Sequence, residues 1–355
     1  MAKELEDARG AIGELAGIGR MLHNPHLLIR PFVQREAVSS SRIEGTITRL
    51  DQLFLFEAEP DQITHPADVE EVRNYVLASE HGHDLIRQGN PLSLRVIREI
   101  HEILMQGVRG GNKRPGEFRP CDVRIGRGGE SWDDSRFIPP SHLRLNPLLR
   151  DLERFLNTPS ERPVVVDLAL VHYQFEAIHP FMDGNGRIGR LLLPLMLCER
   201  GYLPQPLLYL SAYLEQHDEE YRDHLLGVSR RGAWAGWIRF LARGVTEQAR
   251  DAATRAGRLL DLWRQYQRIV GSLSRSAAAV RLLDLLFTRP FITIPNAANF
   301  LELTYPAALN NVERLVEAQV LKEMAGTSNP RIYVATEILR LLDEPLNQSE
   351  TQQTP

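Results

Sequence analysis

The sequence predicts a mainly α-helical protein. Apolar residues recur three and four apart in one run after another, the period of helices that bury one face. Alternating, strand-like stretches are short and sit beside glycine-rich turns, at 121–125 and around 321–334, which confines β structure to hairpins. Proline and glycine clusters separate the helical runs.

Taken in order, residues 1–35 carry Leu5, Ile12, Leu15, Ile18, Met21 and Leu22 at helical spacing, with a break at Asn24-Pro25. A serine run at 39–41, suited to capping, precedes Arg42-Ile43-Glu44-Gly45, where Gly45 reads as a stop. His65-Pro66-Ala67-Asp68 starts a helix that continues through Val72, Tyr75 and Val76, and Pro91-Leu92-Ser93 starts another through Leu94, Ile97, Ile100 and Leu104. His101 on that helix reads as a structural or surface residue. Residues 109–116 form a loop by composition, and 121–138 read as a β-hairpin with Gly126 and Gly128-Gly129 at its tip. Between 109 and 136 seven Lys or Arg stand against five Asp or Glu, a mildly basic segment. Helices follow at 143–156 and 164–178, the second holding His172 as a packed core residue, then at 191–199, ended by Gly201. A helical segment over 212–221 offers Tyr213 and Tyr221 for packing or for stacking on a base. Another runs from Trp234 to about Arg268.

Beyond 275 the chain reads as a separate segment. Helices at 280–287, 295–301 and 306–318, then a hairpin over 321–334, resemble a winged helix, whose third helix often reads DNA. From 277 to 355, however, six Lys or Arg face nine Asp or Glu, and the third helix holds only Arg314. That balance predicts weak DNA binding at most and favours a protein-contact module. The expected division is 1–64 as an N-terminal helical region, 65–245 as a catalytic core, 246–274 as a linking helix, 275–345 as the winged-helix-like domain and 346–355 as a disordered tail.

Composition sets the outer bounds. A net charge of −4 argues against a protein that coats nucleic acid generally. Two cysteines, Cys121 and Cys198, build no disulfide framework, and the charged N-terminus lacks the apolar core of a leader, so a cytoplasmic location is expected. The apolar run 191–198 is too short to span a bilayer and contains Pro194, so no membrane association is expected.

The chemistry concentrates in His179-Pro180-Phe181-Met182-Asp183-Gly184-Asn185-Gly186-Arg187-Ile188-Gly189-Arg190. Gly184 and Gly186 let the backbone curl and bare its N–H groups to an anion, and the helix that starts here adds the positive end of its dipole. Arg187 and Arg190 are three apart and can reach phosphate oxygens from one face. Asp183 is a hard ligand suited to Mg²⁺ bridged by phosphates, and His179 is the residue able to take a proton near neutral pH. There is no P-loop run, the Asp183-x-Asn185 start of an EF-hand is not continued, and no zinc signature appears.

This string resembles the complete active-site motif of Fic-domain proteins, His-x-Phe-x-Asp/Glu-Gly-Asn-Gly-Arg-x-x-Arg. Ser40-x-x-x-Glu44-Gly45 is similar to the inhibitory motif of Fic proteins that carry an inhibitory helix, here about 37–46, in their N-terminal region. The resemblance covers most of 35–245. It implies a Fic helical core with a β-hairpin flap that docks the target protein around 121–138. It also implies an adenylyltransferase that moves AMP from Mg²⁺-ATP onto a Ser, Thr or Tyr hydroxyl of a protein. In that scheme His179 is the base and Asp183 holds the metal. Gly184, Asn185 and Gly186 cradle phosphate, with Asn185 fixing the α-phosphate, and Arg187 and Arg190 bind the outer phosphates. Glu44, with Ser40, holds Arg190 at rest. Where many relatives carry Asn-Arg this chain has His217-Asp218, which leaves the adenine pocket open. Removal of AMP, or transfer of another phosphate-containing group, is the alternative for the same site. A nucleotide-sensing transcriptional regulator is the alternative of another class. The partners expected are ATP and an unidentified protein target, with self-association into a homo-oligomer left open.

Overall fold

The computed structural model describes residues 1–21, 26–62, 66–126, 135–273, 277–326 and 330–344. Eleven of its helices precede residue 274: α1 (Ala2–Met21), α2 (His26–Ile43), α3 (Leu50–Ala58), α4 (Pro66–Arg87), α5 (Leu94–Met105), α6 (Leu145–Leu156), α7 (Val164–Ile178), α8 (Asn185–Glu199), α9 (Ser211–Gln216), α10 (Asp218–Arg231) and α11 (Trp234–Leu273). The predicted mainly α fold is what forms.

The core is built round α8. Its residues from Arg187 to Leu197 are all buried, and α2, α4, α5 and α7 pack on it. A helix apolar on every side is stable only when surrounded in this way. Outside this core, α1 lies along α11. Their buried faces carry Ala8, Ala11 and Ala16 on one side and Ala249, Ala252, Ala253 and Ala256 on the other, so the two helices approach closely.

Several boundaries differ from expectation. The stretch 37–46 is the second half of α2, which starts at His26 and tolerates Pro31 inside it. Its last turn ends at Ile43, and Gly45 takes the left-handed conformation at φ 88°. The helix α3 had no sequence reading, and 212–221 is two helices, α9 and α10, that part at His217. Among the described residues the flap pairs at a single antiparallel bridge, where the Ile125 and Phe137 amides exchange bonds of 2.9 and 3.1 Å. Residues 121–124 form no strand, and the tip at Gly128-Gly129 lies outside the described residues, as do Asn24-Pro25 and His65.

The C-terminal segment comprises α12 (Ala277–Thr288), β1 (Phe291–Thr293), α13 (Ile294–Leu301), α14 (Tyr305–Glu317), β2 (Lys322–Glu323), β3 (Ile332–Val334) and α15 (Thr336–Asp343). Its sheet is antiparallel, in the order β1-β3-β2, with Ile292 opposite Tyr333. The helices and hairpin fall where the sequence placed them, while β1 and α15 were not foreseen. The four residues between Pro290 and Pro295 give no period to read. The turn residues 327–329 and the tail from 345 lie outside the described residues. The helix α11 runs unbroken across residues 245 and 246. Its buried Arg255 donates to the Leu341 and Glu344 carbonyls at the end of α15 and pairs with Asp251, which also takes Arg35 of α2 at 2.9 Å. No helix among the described residues is long and apolar enough to cross a membrane.

Candidate active site

The helices α7 and α8 are antiparallel neighbours joined by residues 179–184, and that join presents the chemistry. His179 ends α7 with φ 49° and ψ 63°, a left-handed conformation that a non-glycine residue keeps only when its surroundings enforce it. The enforcing residue is Arg119. Its fully buried guanidinium donates from Nε to the His179 carbonyl at 2.8 Å and from Nη1 to the Cys121 carbonyl at 2.9 Å. Its backbone N–H donates to the Pro180 carbonyl at 2.8 Å. The sequence reading passed through Arg119 without giving it a role.

His179 Nδ1 lies 3.3 Å from the Glu176 carbonyl. A proton on Nδ1 satisfies that contact and leaves the Nε2 lone pair for the cavity. Burial pushes the imidazole down to about 4, so it is neutral and able to accept a proton at physiological pH.

The motif loop is fixed from within and from α5. Asn185 is buried, its Oδ1 accepting from the Phe181 N–H at 2.8 Å and its Nδ2 donating to the Phe181 carbonyl at 2.9 Å. In this structure the Asn185 side-chain amide staples the loop. The Phe181 ring stacks on His101 with centroids 3.7 Å apart and planes at 4°. His101 accepts the Gly116 N–H on Nδ1 at 2.9 Å and so donates from Nε2 to the Asp183 carbonyl at 3.0 Å. It is a buried structural residue, in keeping with one of the two roles expected, and burial pushes it down to about 4.

At the start of α8, Gly184 has φ 76° and leaves no room for a side chain against Met105 Sδ. A side chain at Gly186 would collide with Glu44 Oε1, so that carboxylate rests on the backbone an incoming phosphate would approach. Glu44 takes Arg190 Nη2 at 2.7 Å, and Ser40 takes Nε on its hydroxyl at 2.8 Å and Nη2 on its carbonyl at 3.0 Å. Arg190 is 2% exposed. Burial alone would raise the Glu44 carboxyl, but Arg190 outweighs it and holds Glu44 below the usual carboxylate range.

The two arginines do not share a face as their spacing suggested. Arg190 turns to α2, whereas Arg187 turns to the other side, 3.7 Å from buried Glu71 and 3.9 Å from Asp183. Each guanidinium is drawn by its own carboxylate. Arg187 Nε and Nη1 are buried without a hydrogen-bond partner. Glu71 also accepts from Thr46 at 2.7 Å and lies 3.4 Å from Arg109, which links the inhibitory segment to the motif at a second point.

Asp183 is a third exposed. Its Oδ1 accepts the Gly184 N–H at 2.7 Å and its Oδ2 faces the Lys113 ammonium at 2.7 Å. Burial works to raise this carboxyl, but the bonds from Lys113 and Gly184 hold it low, so it is ionised. An accessible anionic oxygen that already meets a cation fits Mg²⁺. No cluster of three metal-ligating side chains occurs among the described residues, so phosphates and water would supply the remaining ligands.

Above the motif lies a cavity of about 160 Å³. His179, Gly186, Arg190 and Glu44 form its floor, and Ile125, Phe137, Tyr173, Leu225 and Leu226 form an apolar wall. Tyr221 borders it, but its hydroxyl is held by His172 Nε2 at 2.8 Å. Tyr213 packs on Phe240 and His217, and Asp218 pairs with Arg222. His172 is core, as expected.

A left-handed histidine and a glycine-opened helix start, with the end of a separate helix laid over the second arginine, are the architecture of a Fic domain. Residues 2–84 match the Fic/DOC family N-terminal region, and 91–197 match the Fic/DOC family. The chain belongs to that family. It is 32% identical over 173 residues to the protein adenylyltransferase Fic of Aedes aegypti, which is 47% of this chain and 30% of that protein. It is 33% identical over 165 residues to the protein adenylyltransferase Fic of Drosophila erecta, covering 45% and 29%. The match thus spans less than a third of these relatives' length. Among solved structures, a Fic family protein from Desulfovibrio desulfuricans aligns over 94% of this chain and 95% of its own, with a TM-score of 0.57 at 21% identity. A Fic domain containing signaling protein from Bacteroides thetaiotaomicron aligns over 70% and 97%, with 0.55 at 22%. These likenesses are of fold.

Proposed function

We propose that this protein transfers AMP from Mg²⁺-ATP to a hydroxyl of a target protein, and that Glu44 holds it inactive at rest. The observation that carries the reading is the contact of Glu44 with both Arg190 and the Gly186 backbone, since one carboxylate occupies both places an outer phosphate needs. The printed names of the relatives at 32–33% identity, protein adenylyltransferase, support the activity.

The residues divide the work as follows. Neutral His179 accepts the proton of a Ser, Thr or Tyr hydroxyl as that oxygen attacks the α-phosphorus, and the bond from the α-phosphorus to the bridging oxygen of the β-phosphate breaks to release pyrophosphate. Backbone N–H groups at 184–186 receive the phosphate charge that develops, with Arg187 and Arg190 on the outer phosphates. Asp183 would hold Mg²⁺, whose charge offsets that of the triphosphate. The apolar wall takes the nucleoside, and the flap around 121–138 takes an extended segment of the target by main-chain pairing. The segment from 275 serves as a protein-contact module of winged-helix form, with 246–274 as its link to the core.

Incubation of the Glu44→Gly variant with ATP labelled on the α- or the γ-phosphate tests this. Label from the α-position stays on protein and label from the γ-position does not. Retention of γ-label would assign a different group transfer, and loss of AMP from a pre-modified protein would assign the reverse reaction.

A further inference from the structure

Arg190 has a second carboxylate beside it. Glu176 stands on α7 one turn before His179, and its Oε1 is buried without a hydrogen-bond partner. A side chain at Gly189 would collide with that oxygen, so Glu176 rests on the backbone of α8 at Gly189 as Glu44 does at Gly186. The two glycines are one turn apart, Arg190 follows directly, and Glu44 after α2, Glu176 of α7 and Arg190 line the same cavity. The groups facing Glu176 are Glu44 from α2, Arg190 from α8, and Tyr221 and Arg222 from α10, with His179 on its own helix. Burial pushes the carboxyl up to about 7. Of the charges acting on it, Arg190 is the strongest and favours ionisation, while Glu44 opposes it.

At rest Glu44 is the carboxylate bonded to Arg190, and burial favours the protonated form of Glu176. Withdrawal of Glu44 leaves the Arg190 guanidinium on the cavity lining without its anion, and a part-buried unpaired charge is destabilising. We propose that Glu176 is the positioning residue of Arg190 in the released state. It gives its proton to solvent, takes the guanidinium when Glu44 leaves, and keeps it at the Gly186 edge where an outer phosphate reaches it. The nature of that phosphate rests on the ATP reading, but the exchange of carboxylates does not.

A double-mutant cycle tests the exchange. Thermal unfolding without nucleotide is measured for wild type, Glu44→Gly, Glu176→Gln and the pair, with Glu44→Gln in place of Glu44→Gly if the glycine unfolds the end of α2. Glu176→Gln is expected to lower the melting temperature little when Glu44 is present and by several degrees more when it is absent. Equal costs in both backgrounds would overturn the proposal. Calorimetry with ATP supplies the readout that a merely structural role would not move. Glu176→Gln in the Glu44→Gly background is expected to weaken ATP about tenfold, or ~1.4 kcal/mol, and unchanged affinity would also overturn it. If Glu44→Gly binds no ATP while the melting temperatures are non-additive, the ATP reading fails and the exchange stands.

Discussion

His179 and Arg119 show how much of this site depends on one residue holding another. Replacing His179 by Ala removes the proton acceptor, and transfer is expected to fall about 10²–10⁴-fold with ATP binding retained. A radiolabel assay beside calorimetry checks both halves. Because burial keeps His179 near 4 rather than 6.5, its basic form is complete throughout pH 6–8. The rate carried by His179 should therefore stay level on lowering pH from 8 to 6, where an ordinary histidine would lose most of its basic form. A decline centred near 6.5 in the pH–rate profile would contradict the burial argument. Arg119→Ala leaves the His179 and Cys121 carbonyls without their buried donor. It should cost about 3 kcal/mol or more in denaturant unfolding and slow transfer with it. The motif residues were legible from the sequence because each has a phosphate-handling reason to be there. Arg119 and Glu176 were not, since their significance lies in which backbone they meet.

At the scale of elements, α2 is the part whose end meets the motif arginine. Its last turn lays Ser40 and Glu44 over the start of α8, and its middle turn carries Glu36, buried against Ser211 and Tyr75. A helix fixed along one face does not drift off its site, so release involves the end after Ser40 more than the whole element. Thr46 on Glu71 and Arg42 on Glu215 also fasten that end. Thr46→Val is expected to raise basal labelling severalfold with Glu44 intact, and an unchanged rate would limit the brake to Glu44 itself. The sequence placed most helices correctly because their apolar periods are long. It missed α3, β1 and α15, which span three to nine residues, too few for a period to show. The hairpin was over-read: alternation at 121–125 suggested a ladder, but only Ile125 and Phe137 pair among the described residues.

Across the whole molecule, buried ionisable groups set the pH range of the fold. His101, His172 and His179, each held near 4 by burial, bind protons on unfolding between about 4 and 6.5, so stability falls as pH drops through that window. Glu36 and Glu176, held near 7 by burial, keep protons that the unfolded chain loses, so their contribution falls as pH rises from about 4.5 to about 7 and levels off above that. The melting temperature is expected to peak between about pH 6 and 7, which thermal scans across pH will show. The most direct test of Glu44 as the brake is calorimetric titration of Mg²⁺-ATP into three proteins: wild type, Glu44→Gly, and Glu44→Gly with Arg190→Ala. Binding at least tenfold tighter to Glu44→Gly than to wild type, and lost again in the double variant, is the predicted result. Equal affinity in the first two would contradict it, because Glu44 would then not be competing with phosphate for Arg190.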